Sequence, residues 1–280
     1  MKTESNKEYF VELLLSRLYK SKEQIFLQWN SPKNTNTRYF IIDKLLPQKE
    51  VEKIYNAFPQ SGIGFFERKS FREKKKTSAN LTDYGQILSD ITYAFQDSKV
   101  VNLIAEILEM EKIEPDPILY AGGLSMMFKG DYLNPHIDNS HDSERERYRR
   151  MNLLYYVSPD WTKENGGNFE LWNHDKSIPH TIAAYQNRLV IMETNRLSWH
   201  SVSKVETNKP RCCVSNYYFS KQSPDGDDYF HVTSFSGRPE EPLKRVIGYF
   251  DNHLRNIISK LFRIGRGKDL IYKKKPKNNS

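Results

Sequence analysis

The chain is 280 residues long and carries 43 Lys or Arg against 35 Asp or Glu, a net charge of +8. That length suits one well-packed domain with appended helices, or two small domains, and a single adjacent pair of cysteines, Cys212 and Cys213, excludes a disulfide framework. No apolar run approaches the length of a membrane-spanning helix and the first residues lack a signal peptide's apolar core, so a reducing cytoplasm is the expected setting.

Residues 7–28 place Phe10, Leu13, Leu14, Leu18 and Tyr19 on one helical stripe. The polar, Pro-containing stretch 31–37 reads as a linker. Tyr39-Phe40-Ile41-Ile42 reads as a strand, and Pro47 opens a helix that runs to Ala57. Residues 67–76 form a charged loop with six basic side chains. Helices are expected over 82–95 and 98–110, the second capped by Ser98, and Glu114-Pro115-Asp116-Pro117 ends the pattern. Short alternating strands follow as far as Ser220, then a turn-rich acidic boundary at 223–228 and a short strand within 231–236.

The last periodic segment, 242–264, puts Val246, Ile247, Phe250, Leu254, Ile257, Ile258 and Leu261 on one stripe, with Lys244, Arg245, Arg255 and Lys260 opposite. Packing of that stripe on the protein's own core is expected, a membrane-surface or partner-docking helix being the alternative. From residue 241 onward there are eleven Lys or Arg against three acidic residues. A solubilising basic tail is expected there, with contact to an anionic partner as the alternative. Helices first and short strands later predict an α+β protein: a jelly-roll (double-stranded β-helix) core with supporting N-terminal helices and a C-terminal helix. The divisions are an N-terminal helical extension over 1–36, the jelly-roll domain over 37–222 with its catalytic segment at 118–221, and a C-terminal helix and tail over 223–280.

The chemistry concentrates in that segment. His136-Ile137-Asp138 follows the strand-like run from Leu124 to Phe128 and the turn at Gly130-Asp131. Seven His and fifteen Asp give about 0.4 such His-x-Asp matches by chance, so context has to carry the assignment. On an extended segment residues i and i+2 share a face, and His136 and Asp138 both point inward. A second imidazole comes from His200, after the buried-strand pattern of Arg188-Leu189-Val190-Ile191-Met192. Two imidazoles and a carboxylate make a facial triad that leaves three octahedral positions of Fe(II) open. Arg211, at the head of the next strand and joined to His200 by a hairpin-like connection, supplies a planar cationic fork for an acidic co-substrate. His141, His174, His180, His231 and His253 are bystanders, and Trp199 fills core or packs near the metal.

With these residues in place, the stretch from about Ile118 to Lys221 resembles the prolyl-hydroxylase-type branch of the 2-oxoglutarate/Fe(II) dioxygenases. The run from Leu153 to Trp161 and the segment Gly166-Gly167-Asn168-Phe169-Glu170-Leu171 match that family's strand, acidic-Trp turn, Gly-Gly pair and strand. The resemblance implies iron held by His136, Asp138 and His200, with 2-oxoglutarate's distal carboxylate bound by Arg211 and by the hydroxyl of Tyr156. Phe128 stands where many members have a Tyr, which leaves Phe128 or Tyr132 as the further contact to 2-oxoglutarate. Fe(II), 2-oxoglutarate and O2, with ascorbate as a stimulant, are the implied cofactors, and succinate and CO2 the by-products. Related halogenases lack the carboxylate, so Asp138 favours hydroxylation.

The implied target is a peptide residue, most commonly proline, or a small metabolite. The basic loops at 67–76 and 143–150 are expected to be mobile covers that favour an acidic, phosphate-bearing or carrier-bound substrate. Three alternatives stay open: desaturation or ring formation at the same iron, a non-catalytic jelly-roll binding module, and a zinc hydrolase using the same three residues.

Overall fold

The structure is a computed structural model that describes residues 6–262. In chain order it runs α1 (Lys7–Lys20), α2 (Lys22–Asn30), β1 (Tyr39–Asp43), α3 (Gln48–Ala57), β2 (Phe66–Lys69), β3 (Glu73–Ser78), α4 (Gln86–Phe95) and α5 (Ser98–Ile107). The strand-rich part follows as β4 (Gly123–Met127), β5 (Tyr132–Ile137), β6 (Tyr148–Tyr156), β7 (Phe169–Trp172), β8 (Pro179–Ile182), β9 (Arg188–Glu193), β10 (His200–Val202), β11 (Arg211–Ser220), β12 (Ser234–Phe235) and the closing helix α6 (Pro242–Phe262).

The strands form one curled, twelve-stranded antiparallel sheet in the order β1-β9-β6-β11-β4-β3-β5-β10-β7-β8, with β12 added on β5 and β2 on β3. Strand β3 makes the bend: its residues 76–78 pair with β4 while Glu73 and Lys74 pair with β5. The expected jelly roll and its α+β character are what the chain adopts.

Alternation along the strands sorts side chains into two cores. On β6 and β9, Leu153, Tyr155, Leu189 and Ile191 face the helices, where they meet Phe10, Leu14, Trp29 and Val101. Their neighbours Tyr156, Val190 and Met192 face the barrel interior with Phe169 and Leu171. Each fully buried large apolar side chain of this kind stabilises by about 1.5–3 kcal/mol. Cys212 and Cys213 fall on opposite faces, as period two requires, and burial pushes their thiols up to about 12 and about 11. They are packing residues.

Several local expectations change. The helix expected over 7–28 is two helices, broken at the buried Ser21, and α2 then lays Ile25 and Trp29 into the core. The cap of α5 is Asp97, whose carboxylate accepts from the Lys99 N–H, rather than Ser98. The basic stretch 67–76 is an ordered β2–β3 hairpin within the sheet, because its backbone pairs with β4 and β5. The apolar stripe of α6 faces outward instead of into the core. The basic residues from Arg263 onward lie outside the described residues. No described helix is long and apolar enough to cross a membrane.

The segment between α5 and β4 is anchored by Asp116, which is completely buried. Its Oδ2 accepts the Tyr120 N–H at 2.6 Å, its own N–H donates to Gln96 Oε1 at 2.6 Å, and Gln96 Nε2 reaches Asn216 on β11 at 2.8 Å. Burial, only partly offset by the Tyr120 N–H and by Arg149 and Arg147, raises its carboxyl to about 6. A carboxyl raised in the folded state binds more protons there than in the unfolded chain between the two pKa values, so folding weakens as pH rises through that window. Asp116→Asn removes this linkage. Relative to wild type, the variant should gain about 2–3 kcal/mol of stability between pH 4 and pH 7, read from urea unfolding at the two values. Parallel pH profiles would show that Asp116 does not carry the linkage.

Candidate metal centre

The site lies inside the barrel, in a cavity of about 220 Å³ lined by residues from both halves of the curled sheet, among them His136, Asp138, Arg149, His200 and Arg211. His136 on β5 and His200 on β10 are directly opposed in the antiparallel register. That register shifts before the next pair, Leu133 with Val202, which is the signature of a bulge in β5. The extra residue lets both Leu133 and His136 face the cavity. Their ligating atoms and those of Asp138 all lie within 4.8 Å of one another. His136 Nε2 is 3.7 Å from Asp138 Oδ1, His200 Nε2 is 3.6 Å from Asp138 Oδ2, and the imidazole centroids are 4.1 Å apart.

Hydrogen bonding fixes which ring nitrogens are available. His136 Nδ1 sits 3.0 Å from the Asn134 carbonyl and His200 Nδ1 2.9 Å from the Ser198 carbonyl. A carbonyl only accepts, so each Nδ1 carries the proton and each Nε2 presents its lone pair to the cluster. Burial lowers both imidazoles, His136 to about 3 with the His200 ring adding to the effect, and so keeps them neutral. Phe235 of β12 stacks on His136 at 5.2 Å with an 18° interplanar angle.

Burial by itself would raise the Asp138 carboxyl. The Arg149 guanidinium is the largest influence opposing it, and the group is held below the ordinary carboxylate range. Arg149 is buried, with Nη1 3.3 Å from Asp138 Oδ2, Nη2 donating to Asn139 Oδ1 at 2.9 Å, and its guanidinium 4.0 Å over the Tyr217 ring. Asp138 Oδ2 still makes no hydrogen bond.

Sequence reasoning missed Arg149 because it treated 143–150 as a surface loop. Strand β6 begins at Tyr148, and its pairing with β11 slips between Tyr218 and Phe219. Strict alternation with Met151 and Leu153 would turn Arg149 toward the helices, and the slip turns it inward. The onset of the apolar alternation just downstream was the available signal.

Arg211 and Tyr156 come together at the inner end of the cavity wall. The Arg211 guanidinium lies 4.7 Å from the Tyr156 ring centre, Nη1 finds only Met127 Sδ at 3.5 Å, and Nε has no partner. The Tyr156 hydroxyl is buried, which raises its pKa against the opposing pull of Arg211, and it makes no hydrogen bond of ordinary geometry. Gly167, at φ +62°, makes room for the Arg211 side chain: a Cβ there would stand 2.6 Å from Arg211 Cδ. Arg211 reaches this place differently from the expected hairpin. Strand β10 pairs with β5 and β7, and β11 with β4 and β6, so the chain crosses from one half of the barrel to the other between His200 and Arg211.

Tyr132 is not part of this grouping. It lies on the outer side of the bulge, its hydroxyl donating to the Ser70 carbonyl at 3.2 Å and Lys244 near its ring. Phe128 packs against the helix-side core under Lys76. Trp199 carries Lys176 on its ring at 4.4 Å and is only half-buried. Of the other histidines, His141 contacts Ser140 and Tyr148, and His180 contacts the Tyr39 hydroxyl.

The Asp138–Arg149 contact makes a testable stability pair. Arg149→Met strands a buried carboxylate and should cost about 3–5 kcal/mol in urea unfolding of metal-free protein. In an Asp138→Asn background the same change should cost much less, because the stranded charge is gone. Equal costs in the two backgrounds would show that the pair is uncoupled.

Residues 122–219 match the model of the 2OG-Fe(II) oxygenase superfamily. Over 103 residues the chain is 32% identical to the prolyl 3-hydroxylase OGFOD1 of Xenopus laevis, and over 96 residues 29% identical to that of Mus musculus. Those spans cover 34% and 32% of this chain but 20% and 17% of the relatives, so the chain spans about a fifth of the length of the curated relatives it matches. The fold is shared with a prolyl hydroxylase of Trichoplax adhaerens, solved with a hypoxia inducible factor oxygen degradation domain peptide fragment (TM-score 0.51, 17% identity, 74% of this chain and 93% of that one). It is shared also with a prolyl 4-hydroxylase of Phytophthora capsici (TM-score 0.52, 15% identity, 94% and 81%). The matched segment 122–219 contains His136, Asp138, Tyr156, His200 and Arg211 and is similar to the 2OG-Fe(II) oxygenase superfamily.

Proposed function

We propose that the protein is a 2-oxoglutarate- and Fe(II)-dependent hydroxylase acting on a prolyl residue of a peptide. The observation that carries this reading is the convergence of the His136, Asp138 and His200 donor atoms within 4.8 Å, in a cavity whose wall also carries Arg211 and which lies beside the unpartnered Tyr156 hydroxyl. The donor set fits iron. Both Nε2 atoms present lone pairs, Asp138 Oδ2 is an unsatisfied anion acceptor, and a two-His, one-carboxylate set is the ferrous facial triad. Arg211 Nε and the Tyr156 hydroxyl are buried donors that a carboxylate would satisfy together, which suits the distal end of 2-oxoglutarate. Iron and 2-oxoglutarate bound there would supply the oxidising chemistry, consuming O2, releasing succinate and CO2 and converting a substrate C–H to C–OH.

The protein's own part is ligation, orientation and shielding. His136, Asp138 and His200 would hold the metal, and Arg149, 3.3 Å from Asp138 Oδ2, would steady its carboxylate. Leu133, Met127, Phe169, Val202 and Phe235 line the cavity with apolar surface that keeps water out. A peptide substrate is supported by the prolyl 3-hydroxylase relatives and by the peptide-bound neighbour. The acidic or carrier-bound character expected of the substrate is supported by Arg68 and Lys75 in the cavity lining, although Glu73 lies 3.5 and 3.4 Å from them and offsets part of that charge.

Purified protein given Fe(II), ascorbate, O2 and 2-oxoglutarate should release succinate, and Asp138→Ala should not. Equal release by the variant would remove the metal assignment. Arg211→Ala keeps the metal ligands and should raise the 2-oxoglutarate KM by about ten- to a hundredfold, the loss of a charged hydrogen-bonding partner, while Mn(II) affinity stays near wild type. An unchanged KM would dissociate Arg211 from the co-substrate.

A further inference from the structure

Helix α6 is docked in the reverse of the usual sense. An amphipathic helix on a globular domain turns its apolar stripe inward. Here the polar face is the one that binds the domain. Asn252 accepts the Phe235 N–H at 2.9 Å and donates to the Phe235 carbonyl at 2.8 Å, while Asn256 accepts the Val232 N–H at 3.0 Å. Asp251 pairs with Arg72, and Arg245 donates to the Gly237 carbonyl at 3.2 Å. Gly248 lies so close to the sheet edge that a Cβ there would stand 2.7 Å from the Phe235 carbonyl.

The opposite face is apolar and uncovered. Leu243, Val246, Ile247, Phe250, Leu254 and Ile257 are 52–78% exposed. At about 100° per residue their Cα positions span an arc of roughly 100° centred opposite the Asn252 face, and Ile258 widens it. Scattered surface apolar residues are ordinary, but a contiguous stripe along about four turns of one helix marks a contact surface.

Charge selects the occupant. The forty residues from Glu241 onward carry eleven Lys or Arg and three acidic residues, and beyond the described helix the excess is Arg263, Arg266, Lys268, Lys273, Lys274, Lys275 and Lys277 against Asp269. An apolar helical face followed directly by a cationic stretch combines the two attractions that hold a protein reversibly at an anionic bilayer: insertion of side chains below the headgroups and attraction to their charge. A second copy of the chain fits less well. It would bring two like-charged segments together, and the arc, widened by Ile258, is broader than a coiled-coil seam.

We propose that the outward face of α6 is a docking surface for an anionic lipid membrane, on which the catalytic domain rests through this helix. The surface is independent of the iron site, and its test does not involve turnover.

The full-length protein would be sedimented with vesicles of phosphatidylcholine alone and with about 30 mol% phosphatidylserine added. The wild type is expected to partition at least about tenfold more strongly onto the anionic vesicles, less so as salt is added. Phe250→Glu/Leu254→Glu places charges on the exposed stripe without touching a core contact, and a preserved circular-dichroism melt checks that it folds. This variant should lose at least about tenfold in partitioning onto the same vesicles. Absence of wild-type binding to the anionic vesicles would overturn the proposal. So would binding that the double variant retains, which would make it an effect of charge alone. A wild-type dimer in light scattering that the double variant converts to monomer would assign the face to a second copy instead.

Discussion

A carboxylate with almost no water around it must be compensated, and the geometry of this protein's centre follows from how Asp138 is. The imidazoles beside it cannot help as cations, because burial keeps both neutral and the Nδ1 protons are committed to backbone carbonyls. Arg149 provides the charge at 3.3 Å, without hydrogen-bond geometry, and leaves Oδ2 open toward the two Nε2 atoms. The result is an anionic pocket end with three lone-pair donors aimed at one point. A divalent cation satisfies that arrangement and a proton does so poorly. In the same cavity, Arg211 presents the reverse imbalance, a buried cation whose Nε has no partner and whose Nη1 meets only a thioether. A dianionic chelator that bridged the two imbalances would complete the electrostatics of the cavity.

Two bulges do the aiming. Regular period-two alternation would send Leu133 and His136 to opposite faces of β5 and would turn Arg149 toward the helix-side core. A register shift in the β5–β10 ladder and another in the β6–β11 ladder bring these side chains into the cavity instead. Each bulge costs a regular ladder position and re-aims one side chain, a trade common beside active sites. The same β5 bulge explains Tyr132, which lies outside the cavity and bonds to Ser70.

How much could be read in advance follows the same line. Where alternation is regular it was readable: the opposite-facing Cys212 and Cys213, the β9 run at 188–193, and the shared direction of His136 and Asp138. The α+β jelly roll followed from the order of helices and short strands. Arg149 was not readable, because a single unpaired residue reverses the face, and composition around it looks like a solvated loop. The β2–β3 hairpin was hidden for a related reason. Its Arg and Lys side chains suggest solvent, but its backbone is what joins the two halves of the sheet. The connection from His200 to Arg211 was misjudged because a turn-like composition says where the chain bends and not which strand it meets next.

Helix α6 was periodic enough to be found and still pointed the unexpected way, since periodicity defines two faces without saying which one is attached. Attachment is decided by β12, a two-residue strand whose outer edge offers the Phe235 N–H and carbonyl, groups that cannot be left unpaired under a packed helix. An amide side chain can answer both at once, and Asn252 does so. The polar face is therefore committed to the domain, and the apolar face is left outside. The same Phe235 lays its ring against His136. The strand that decides how α6 sits thus also forms the wall behind a candidate iron ligand, and a helix seated by backbone complementarity can hold that wall in place while its outer face remains available to a partner.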